Sequence, residues 1–380
     1  MNISFVGKYG KLLVALSGIL ILQKSFVQLN NFVAKNVWLI FFWALCIGFA
    51  LFRILEKGVN FDLIQQNILF IVFVYFYYLL SLKFKSRYRV PNYFFLKYLA
   101  RAINFNLFFW TAIVFLFSFD IWHTAGDRTG LGLFYGSYIQ FGIFACVGAI
   151  ANFSLLRYRI KDNRKFYFVM SILYGILVFL SGSRNAQLVL LVFLLLYLMP
   201  YLKRIAIGNI YLVVFSLSIV SVFYFSGEML LNESLTDLSS GRSSIWYYIY
   251  EYYTQNSILR GEGIFGLNTT ILDNNLDTNY YLQRIDFLYF HSSFVELIGA
   301  SGILGFLFFM LFVIRSLKRK RKFYVVNIVV SILFGGMFES FLVQPTVLIS
   351  FLFWYFIIQR TEEEDSMSNQ PQNKLEPTIT

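Results

Sequence analysis

The sequence predicts an all-α, polytopic transmembrane helical bundle, and three observations lead to this fold class. The chain of 380 residues is 58% hydrophobic and only 14% charged, whereas a soluble domain has about 25% charged residues. Its mean hydropathy is +0.65. Its apolar residues stand in continuous runs, and not in the alternating pattern of an outer-membrane barrel. These features exclude an ordinary soluble enzyme and a disordered chain.

About eleven segments have the length and composition of membrane spans, and ten or twelve spans fit nearly as well. The first is the weakest, because Gln23 and Lys24 interrupt it, so it is either a span or a half-buried anchor. Together the spans form one transmembrane domain over residues 1–358. The predicted spans are 11–29, 36–55, 66–82, 102–119, 133–155, 166–182, 185–202, 206–225, 292–314, 323–341 and 345–358.

Lysine and arginine residues set the predicted orientation of these spans. They concentrate in the connections 83–101, 157–165 and 315–322, with a weaker pair at 203–204. Basic residues in short loops resist translocation, so these four connections are predicted to be cytoplasmic. The stretch 226–290 has the opposite, mainly acidic balance. It is therefore predicted to be a large extracytoplasmic loop.

The sequence predicts the membrane side of the C-terminus more clearly than that of the N-terminus. The polar tail 359–380 is predicted to be disordered and cytoplasmic. Eleven spans and a cytoplasmic C-terminus put the N-terminus outside, whereas Lys8 and Lys11 favour the inside. The sequence leaves the N-terminal orientation open.

Arg184 lies in a short polar run, 181–187, between the spans predicted at 166–182 and 185–202. The chain must reverse direction there, and Gly182 supplies the flexibility that a tight turn needs. The guanidinium of Arg184 is therefore expected at or just beneath the outer membrane surface. A snorkelling arginine near a helix end is the plain structural alternative. The positive-inside bias disfavours arginine on that side, which favours a functional role.

Arg242 precedes an aromatic-rich segment, 243–259. The serines beside Arg242 are good N-cap candidates, so a helix is predicted over this segment. Trp246 and the tyrosines that follow favour the headgroup level, so the helix is expected to lie flat on the outer leaflet. Anchoring is the main interpretation for these aromatics, and stacking of some of them on sugar rings is the alternative.

Two further charged groups belong to the predicted outer side. Arg260 opens the turn Arg260–Gly266, whose three glycines are more typical of a plain loop than of an anion site. Glu339 lies near the outer end of the span predicted at 323–341. A carboxylate at that depth is costly, so Glu339 is expected to pair with an arginine.

His291 stands at the outer mouth of the span predicted at 292–314. Histidine can act as a general base, although a histidine at a membrane interface is more often structural. Glu296 lies about one turn further along, and its i,i+5 spacing puts it off the face of the histidine. His123, the other histidine, is a weaker candidate of the same type.

No metal or cofactor is expected. The two histidines and the two cysteines, Cys46 and Cys146 within apolar segments, form no metal-ligand motif and no disulfide framework. The sequence also has no Asp-X-Asp pair, which disfavours metal-dependent sugar-nucleotide chemistry. The net charge of +12 follows from the basic inner connections, so no nucleic-acid partner is expected.

A series of short motifs follows in one order along the second half of the chain. They are Ser-Gly-Ser-Arg184, Ser-Gly-Arg242 followed by Trp246, Gly261–Gly266, His291 with Glu296–Gly305, and Phe338–Ser340. Together these motifs resemble the O-antigen polymerase and O-antigen ligase family of bacterial polysaccharide assembly. The resemblance covers roughly residues 166–350, whereas the N-terminal spans match only in hydropathy.

The resemblance implies a GT-C-like membrane glycosyltransferase that uses glycans on undecaprenyl diphosphate at the outer face of the bacterial inner membrane. It implies that Arg184 and Arg242 contact the diphosphate and that His291 lies at the reacting centre. Arginine binds phosphate bidentately and stays charged, so two arginines neutralise the leaving group without a metal. Trp246, Arg260, Glu296 and Glu339 are further candidates for supporting residues.

Three functions remain open at this point. A polymerase would transfer a growing glycan onto one lipid-linked repeat unit, whereas a ligase would transfer it to a final acceptor. A flippase for lipid-linked oligosaccharides would want charges along several spans, but the polar residues here cluster on one side. The polymerase is preferred, with membrane lipid, a lipid-linked oligosaccharide, a chain-length regulator and a flippase of the same pathway as its partners.

Overall fold

A computed structural model describes most of the predicted membrane segments. The described residues are 13, 16–23, 26–58, 61–88, 90–125, 128–135, 137–158, 163–198, 242–275, 290–318, 323–344 and 347–359. The span predicted at 206–225 and almost all of the predicted tail 359–380 lie outside these residues.

The described part of the chain is built almost entirely of α-helices, which confirms the all-α polytopic fold class. One short antiparallel hairpin and a 3₁₀-helix at Ser340–Val343 complete it. The α-helices are α1 (Phe26–Lys35), α2 (Val37–Lys57), α3 (Phe61–Arg87), α4 (Pro91–Leu116), α5 (Tyr138–Leu156), α6 (Arg164–Leu180), α7 (Arg184–Leu198), α8 (Arg242–Gln255), α9 (Gly266–Asn275), α10 (Ser293–Lys318), α11 (Phe323–Gly336) and α12 (Leu348–Ile358).

Five of the described helices are long and apolar enough to cross a membrane. These are the helical stretches Val37–Glu56, Leu63–Arg87, Pro91–Leu116, Tyr138–Leu156 and Ser293–Lys318. Shorter apolar helices cover Arg184–Tyr197, Tyr324–Gly336 and Leu348–Ile358. The total of about eleven spans stays a prediction.

Several helix ends differ from the predicted spans. The helix α3 continues to Arg87, and α4 begins at Pro91 and not near residue 102, so the connection between them is short. Lysine and arginine are good helix formers, so a helix continues past the point where its apolar segment ends. The span predicted at 11–29 is not one continuous helix, because helical structure stops at Gln23 and α1 begins at Phe26.

The predicted outer connection 120–132 contains a hairpin that the sequence did not indicate. Strand β1 (Trp122–Ala125) pairs with β2 (Arg128–Leu131) in antiparallel register, with Trp122 opposite Leu131. Strands of this length carry too few alternating residues to give a sequence signal.

The chain divides into two compact units. The first unit contains residues 1–76, 202–318 and 336–346, and the second contains residues 77–201, 319–335 and 347–380. The single domain predicted for residues 1–358 stays a prediction.

In the first unit, α2 and α10 pack against each other as an antiparallel pair. Trp38 stacks on Phe308 with ring centroids 5.7 Å apart, and Phe42 meets Phe309 at 5.5 Å. Further along α2, Leu45 lies beside Gly305 and Cys46 beside Ser301, so the end of α2 lies near the beginning of α10. The backbone of α10 is interrupted at Gly302, whose φ of 64° and ψ of 176° are not helical.

In the second unit, α5 is the central helix and packs against α4, α6, α7 and α12. Most residues of α5 are buried, and Gly148 lies flat against the ring of the fully buried Tyr174. A Cβ atom at Gly148 would come within 2.7 Å of that ring, so α5 and α6 approach as closely as they do because glycine is present. The stacked rings of Phe95 and Tyr355 join α4 to α12.

Candidate active site

His291 lies close before α10, in a backbone conformation that is uncommon for residues other than glycine. Its φ of 52° is in the left-handed region, which costs a residue other than glycine about 1–3 kcal/mol and is concentrated at functional sites. Hydrogen bonds hold both backbone groups of the preceding residue, Phe290. The Phe290 N–H donates to Glu296 Oε1 at 2.9 Å, and the Phe290 carbonyl accepts from Trp246 Nε1 at 2.7 Å. These two bonds fix the peptide that presents His291.

Glu339 is the acidic partner of His291. Its Oε2 atom lies 3.4 Å from His291 Nδ1, and its backbone carbonyl accepts a bond from the Ser293 N–H at 3.0 Å. The Ser293 hydroxyl also donates to that carbonyl and accepts from the Leu342 N–H. The segment that carries Glu339 is thereby attached to the first turn of α10. The described side-chain contact of Glu339 is with the imidazole, and its expected pairing with an arginine stays a prediction.

Glu296 joins four segments of the first unit. This residue is only 2% exposed, and its Oε1 atom accepts bonds from Asn268 Nδ2 and the Ser340 hydroxyl, each at 3.0 Å, besides the bond from Phe290. As its spacing predicted, the carboxylate does not face His291. It fixes instead the residue before His291 and the residue after Glu339.

Helix α8 confirms the helix predicted at 243–259, although it ends at Gln255. Ile245 and Ile249 belong to a buried apolar cluster with Phe290 and residues of α9. Trp246 bonds to Phe290 as described, so this residue has an internal role besides any at a membrane surface. Whether α8 lies on the outer leaflet stays a prediction.

The turn Arg260–Gly266 docks on the interruption of α10. The N–H groups of Glu262 and Gly263 donate to the carbonyls of Gly299 and Ala300, both at 2.9 Å, and the Ile303 N–H donates to Ile258 O at 3.0 Å. A Cβ atom at Gly261 would lie 2.6 Å from the Ala300 carbonyl oxygen. The glycine is therefore needed for a close approach of two backbones, and this turn pairs the backbone groups that the interrupted helix leaves free.

A network of charged groups, buried at Arg53 and Glu262 and partly exposed at Arg260 and Glu56, surrounds this turn. Glu262, which is 2% exposed, binds Arg53 Nε at 3.2 Å and Arg260 Nε at 3.4 Å, and it accepts a bond from the Tyr252 hydroxyl at 2.6 Å. Arg260 also contacts Glu56 at the end of α2. Burial, followed by the hydrogen bond to Glu262, raises the pKa of Tyr252, so the phenol keeps the proton that it donates.

Arg184 is the first residue of α7 and is exposed. The turn before it is held by a bond from the Ser183 N–H to the Ser181 hydroxyl and by close packing of Gly130 of the hairpin against the Ser181 carbonyl. Asn185, beside Arg184, is only 6% exposed, and neither polar atom of its side chain has a hydrogen-bond partner among the described residues. A buried amide without partners is costly, and it marks the start of α7 as a place where a polar ligand or water would be stabilised.

The structure brings together four of the residues that the sequence singled out. Trp246, His291, Glu296 and Glu339 form one connected network, and Arg260 belongs to the same unit through the contacts of Glu262. Arg184 lies in the second unit. Arg242 begins α8, but its side chain lies outside the described residues. The shared diphosphate site of the two arginines stays a prediction.

Two residues of this region, Arg53 and Asn268, were not singled out from the sequence, and Ser340 was noted only as the last residue of the motif Phe338–Ser340. Arg53 carried a usable signal, because an arginine inside the span predicted at 36–55 needs a partner at that depth. Asn268 and Ser340 are ordinary polar residues by sequence. Their importance comes from contacts with Glu296, 28 and 44 residues away along the chain.

Residues 166–310 match the family model described as O-antigen ligase. This part of the chain is therefore similar to the O-antigen ligase family, and the match supports an assignment to the ligase/polymerase group. The match includes Arg184, Arg242 and His291, which confirms the resemblance that those motifs carried. Comparison with curated proteins and with solved structures gives no match.

The chemistry that the geometry around His291 allows is proton transfer. With Nδ1 of His291 turned to Glu339, the other ring nitrogen is left to meet a substrate. A carboxylate behind an imidazole orients the ring and stabilises the imidazolium that forms when it takes a proton. The family match ends within α10, so Glu339 lies beyond it.

Proposed function

We propose that this protein is a polysaccharide polymerase, a membrane glycosyltransferase that depends on a lipid diphosphate. It transfers a growing glycan from undecaprenyl diphosphate onto a lipid-linked repeat unit at the outer face of the bacterial inner membrane. The pairing of His291 with Glu339 is the observation that carries this proposal. The family assignment supports glycan transfer of the ligase or polymerase type.

In the proposed reaction, a hydroxyl group of the acceptor sugar attacks the anomeric carbon of the donor sugar. The bond between that carbon and the diphosphate oxygen breaks, and its electron pair leaves with the diphosphate. His291 takes the proton of the attacking hydroxyl, a role that contributes about 10²–10⁴-fold to a rate. Glu339 stabilises the resulting imidazolium across the 3.4 Å contact.

Arg184 and Arg242 are proposed to bind the diphosphate. The leaving group gains negative charge in the transition state, and guanidinium groups stabilise it without a metal because they remain protonated. The position of Arg184 at the start of α7 supports this role, since the N–H groups of a helix N-terminus also attract anions. The side-chain amide of Asn185 supplies a further donor without a partner.

A ligase is the second candidate, because the same residues would cleave the same donor. The two enzymes differ only in the acceptor, which is a lipid-linked repeat unit for the polymerase and a final carrier molecule for the ligase. A flippase is less well supported, since the network of His291 and Glu339 serves bond formation and not passage along several spans. The polymer itself is an O-antigen, a capsule or an exopolysaccharide.

The test is a gel of cell-surface glycan from a strain that carries the protein as its only copy. His291→Ala and Arg184→Ala should each reduce the ladder of chain lengths to a single repeat unit, while the amount of protein in the membrane stays the same. Arg164→Ala is the matched control, because Arg164 is an exposed arginine at the opposite end of the preceding helix, α6. It should keep the full ladder.

Two results would overturn this proposal. A full ladder from the His291→Ala protein would remove the histidine from the reaction. Long chains that accumulate on the carrier lipid after deletion of the gene would replace the polymerase with a ligase, since polymer would then form without this protein. A deletion strain in which lipid-linked repeat units stay on the cytoplasmic face would indicate a flippase.

A further inference from the structure

The turn at 181–183 is buried, although the arginine that follows it is exposed. Ser181 is 0% exposed and Ser183 is 3% exposed, whereas the side chain of Arg184 is open to its surroundings. Among the described residues, none forms a hydrogen bond or an ion pair with the guanidinium of Arg184. A free cationic group thus stands on a closely packed base.

The β1–β2 hairpin packs against this turn from one side. The hairpin contacts α5 and α6, and Gly130 of β2 lies against the backbone carbonyl of Ser181. A Cβ atom at Gly130 would come within 2.1 Å of that carbonyl oxygen. Such an approach is far inside van der Waals contact, so a larger residue at position 130 would displace the hairpin or the turn.

Helix α5 packs against the same turn through a second glycine. A Cβ atom at Gly142 would lie 2.5 Å from the Cβ atom of Ser183 and 2.6 Å from the hydroxyl oxygen of Ser181. Within the turn, the Ser181 hydroxyl donates to the Val178 carbonyl at 2.7 Å and accepts a bond from the Ser183 N–H at 3.2 Å. The turn therefore has no space to shift toward the hairpin or toward α5.

We infer that Gly130, Gly142 and Ser181 are positioning residues for Arg184. They act on the turn from which α7 begins and do not contact the ligand of the guanidinium. A charged group on a fixed base has less conformational freedom to lose when it binds an anion, so fixing the turn strengthens binding. That this anion is a diphosphate rests on the proposed function.

A spin label attached to Arg184→Cys reports on the turn directly, in the full-length protein in detergent. The native Cys46 and Cys146 are buried, so the label reacts at position 184. Gly130→Ala should make the label more mobile in its electron paramagnetic resonance spectrum. Ser181→Ala is a second variant, which removes two hydrogen bonds of the turn and adds no atoms, and it should act in the same direction.

Gly175→Ala is the matched control for the spectra. Gly175 lies in α6, the helix that leads into the turn, and a Cβ atom there meets nothing within 4 Å. The substitution adds the same methyl group as Gly130→Ala, in the same unit of the chain, without a collision. It should leave the spectrum of the label at position 184 unchanged.

Calorimetry with inorganic pyrophosphate shows whether Gly130 acts through Arg184. Arg184→Ala should weaken pyrophosphate binding about tenfold or more, which is the effect of losing a hydrogen bond to a charged group. Gly130→Ala should weaken binding by no more than the same factor, and it should have no further effect when Arg184→Ala is already present. A general loosening of the fold would weaken binding in both backgrounds.

Two results would overturn the inference. One is an unchanged spectrum after both Gly130→Ala and Ser181→Ala, and the other is an equal effect of Gly130→Ala on pyrophosphate binding with and without Arg184. Failure of the proposed function gives a different result. If wild type and Arg184→Ala bound pyrophosphate equally, or not at all, Arg184 would lose its proposed diphosphate role, and the spectra alone would decide whether these residues fix its position.

Discussion

At the scale of residues, Phe290 is the position through which the protein fixes the backbone before His291. Both of its peptide groups are bonded, one to Glu296 and the other to Trp246, and its ring is fully buried. The next residue, His291, has a left-handed backbone that costs free energy unless its surroundings impose it. We therefore propose that Glu296 and Trp246 act as positioning residues for the imidazole.

This role predicts a difference between two substitutions of Glu296. Glu296→Leu leaves the buried donors of Phe290, Asn268 and Ser340 without an acceptor, at about 1–3 kcal/mol for each group. It should lower the melting temperature and abolish the glycan ladder. Glu296→Gln retains the accepting oxygen and should keep the ladder and most of the stability. Thermal unfolding in detergent and a glycan gel measure both effects.

A Glu296→Gln protein that melts like wild type but makes no polymer would contradict this assignment. Loss of activity without loss of stability would mean that the carboxylate takes part in the chemistry and does more than hold its neighbours. The Trp246→Phe variant is a companion test. It removes the bond to the Phe290 carbonyl and leaves Glu296 in place, so it should show a milder form of the Glu296→Leu defect.

At the scale of elements, the glycine-rich turn supplies hydrogen-bond partners for the backbone of the interrupted helix α10. Gly302 leaves backbone groups of α10 unpaired, and the turn at 258–263 pairs with them through three bonds. Unpaired backbone at membrane depth is tolerated only where the protein itself supplies partners. The two stretches that resembled family motifs, Gly261–Gly266 and Glu296–Gly305, are thus two sides of one contact.

The Gly302→Ala variant tests this contact. Its new methyl group would collide with the carbonyl of Leu259, and alanine would be strained at a φ of 64°. We expect a loss of about 2 kcal/mol or more in the free energy of unfolding. Gly48→Ala is the matched control in α2, because a Cβ atom there meets nothing within 4 Å. Alanine is the better helix former, so this control should leave the melting temperature unchanged or raise it.

The elements also show what sequence alone can predict. Apolar runs located the long helices, because burial in lipid depends on composition, which is local. They did not locate the helix ends at Arg87 and Pro91, where charged residues continue the helix. His291 and Glu339 were each singled out as polar groups in apolar surroundings, but their pairing across 48 residues required the fold. The docking of the turn on α10 also joins segments that are distant along the chain, so sequence spacing did not indicate it.

At the scale of the whole molecule, two contacts and one helix bear on membrane orientation. The turn at 258–266 meets the end of α2 through Glu56 and the start of α3 through a bond from the Ile264 N–H to Asn67 Oδ1. Helix α3 is continuous and long enough to cross the membrane, so its basic end at 83–87 belongs to the opposite face. Because basic ends stay in the cytoplasm, we infer that this turn faces outward.

Cysteine labelling tests that orientation directly. The native Cys46 and Cys146 are buried, whereas Ser257 beside the turn and Ser86 near the end of α3 are exposed. In cells stripped of their outer envelope, a membrane-impermeant maleimide should label Ser257→Cys and leave Ser86→Cys unlabelled until the membrane is permeabilised. The unsubstituted protein is the control for background. If both cysteines reacted from outside, α3 would not separate two compartments. If only Ser86→Cys reacted, the network around His291 would face the cytoplasm, where extracytoplasmic glycan assembly cannot reach it.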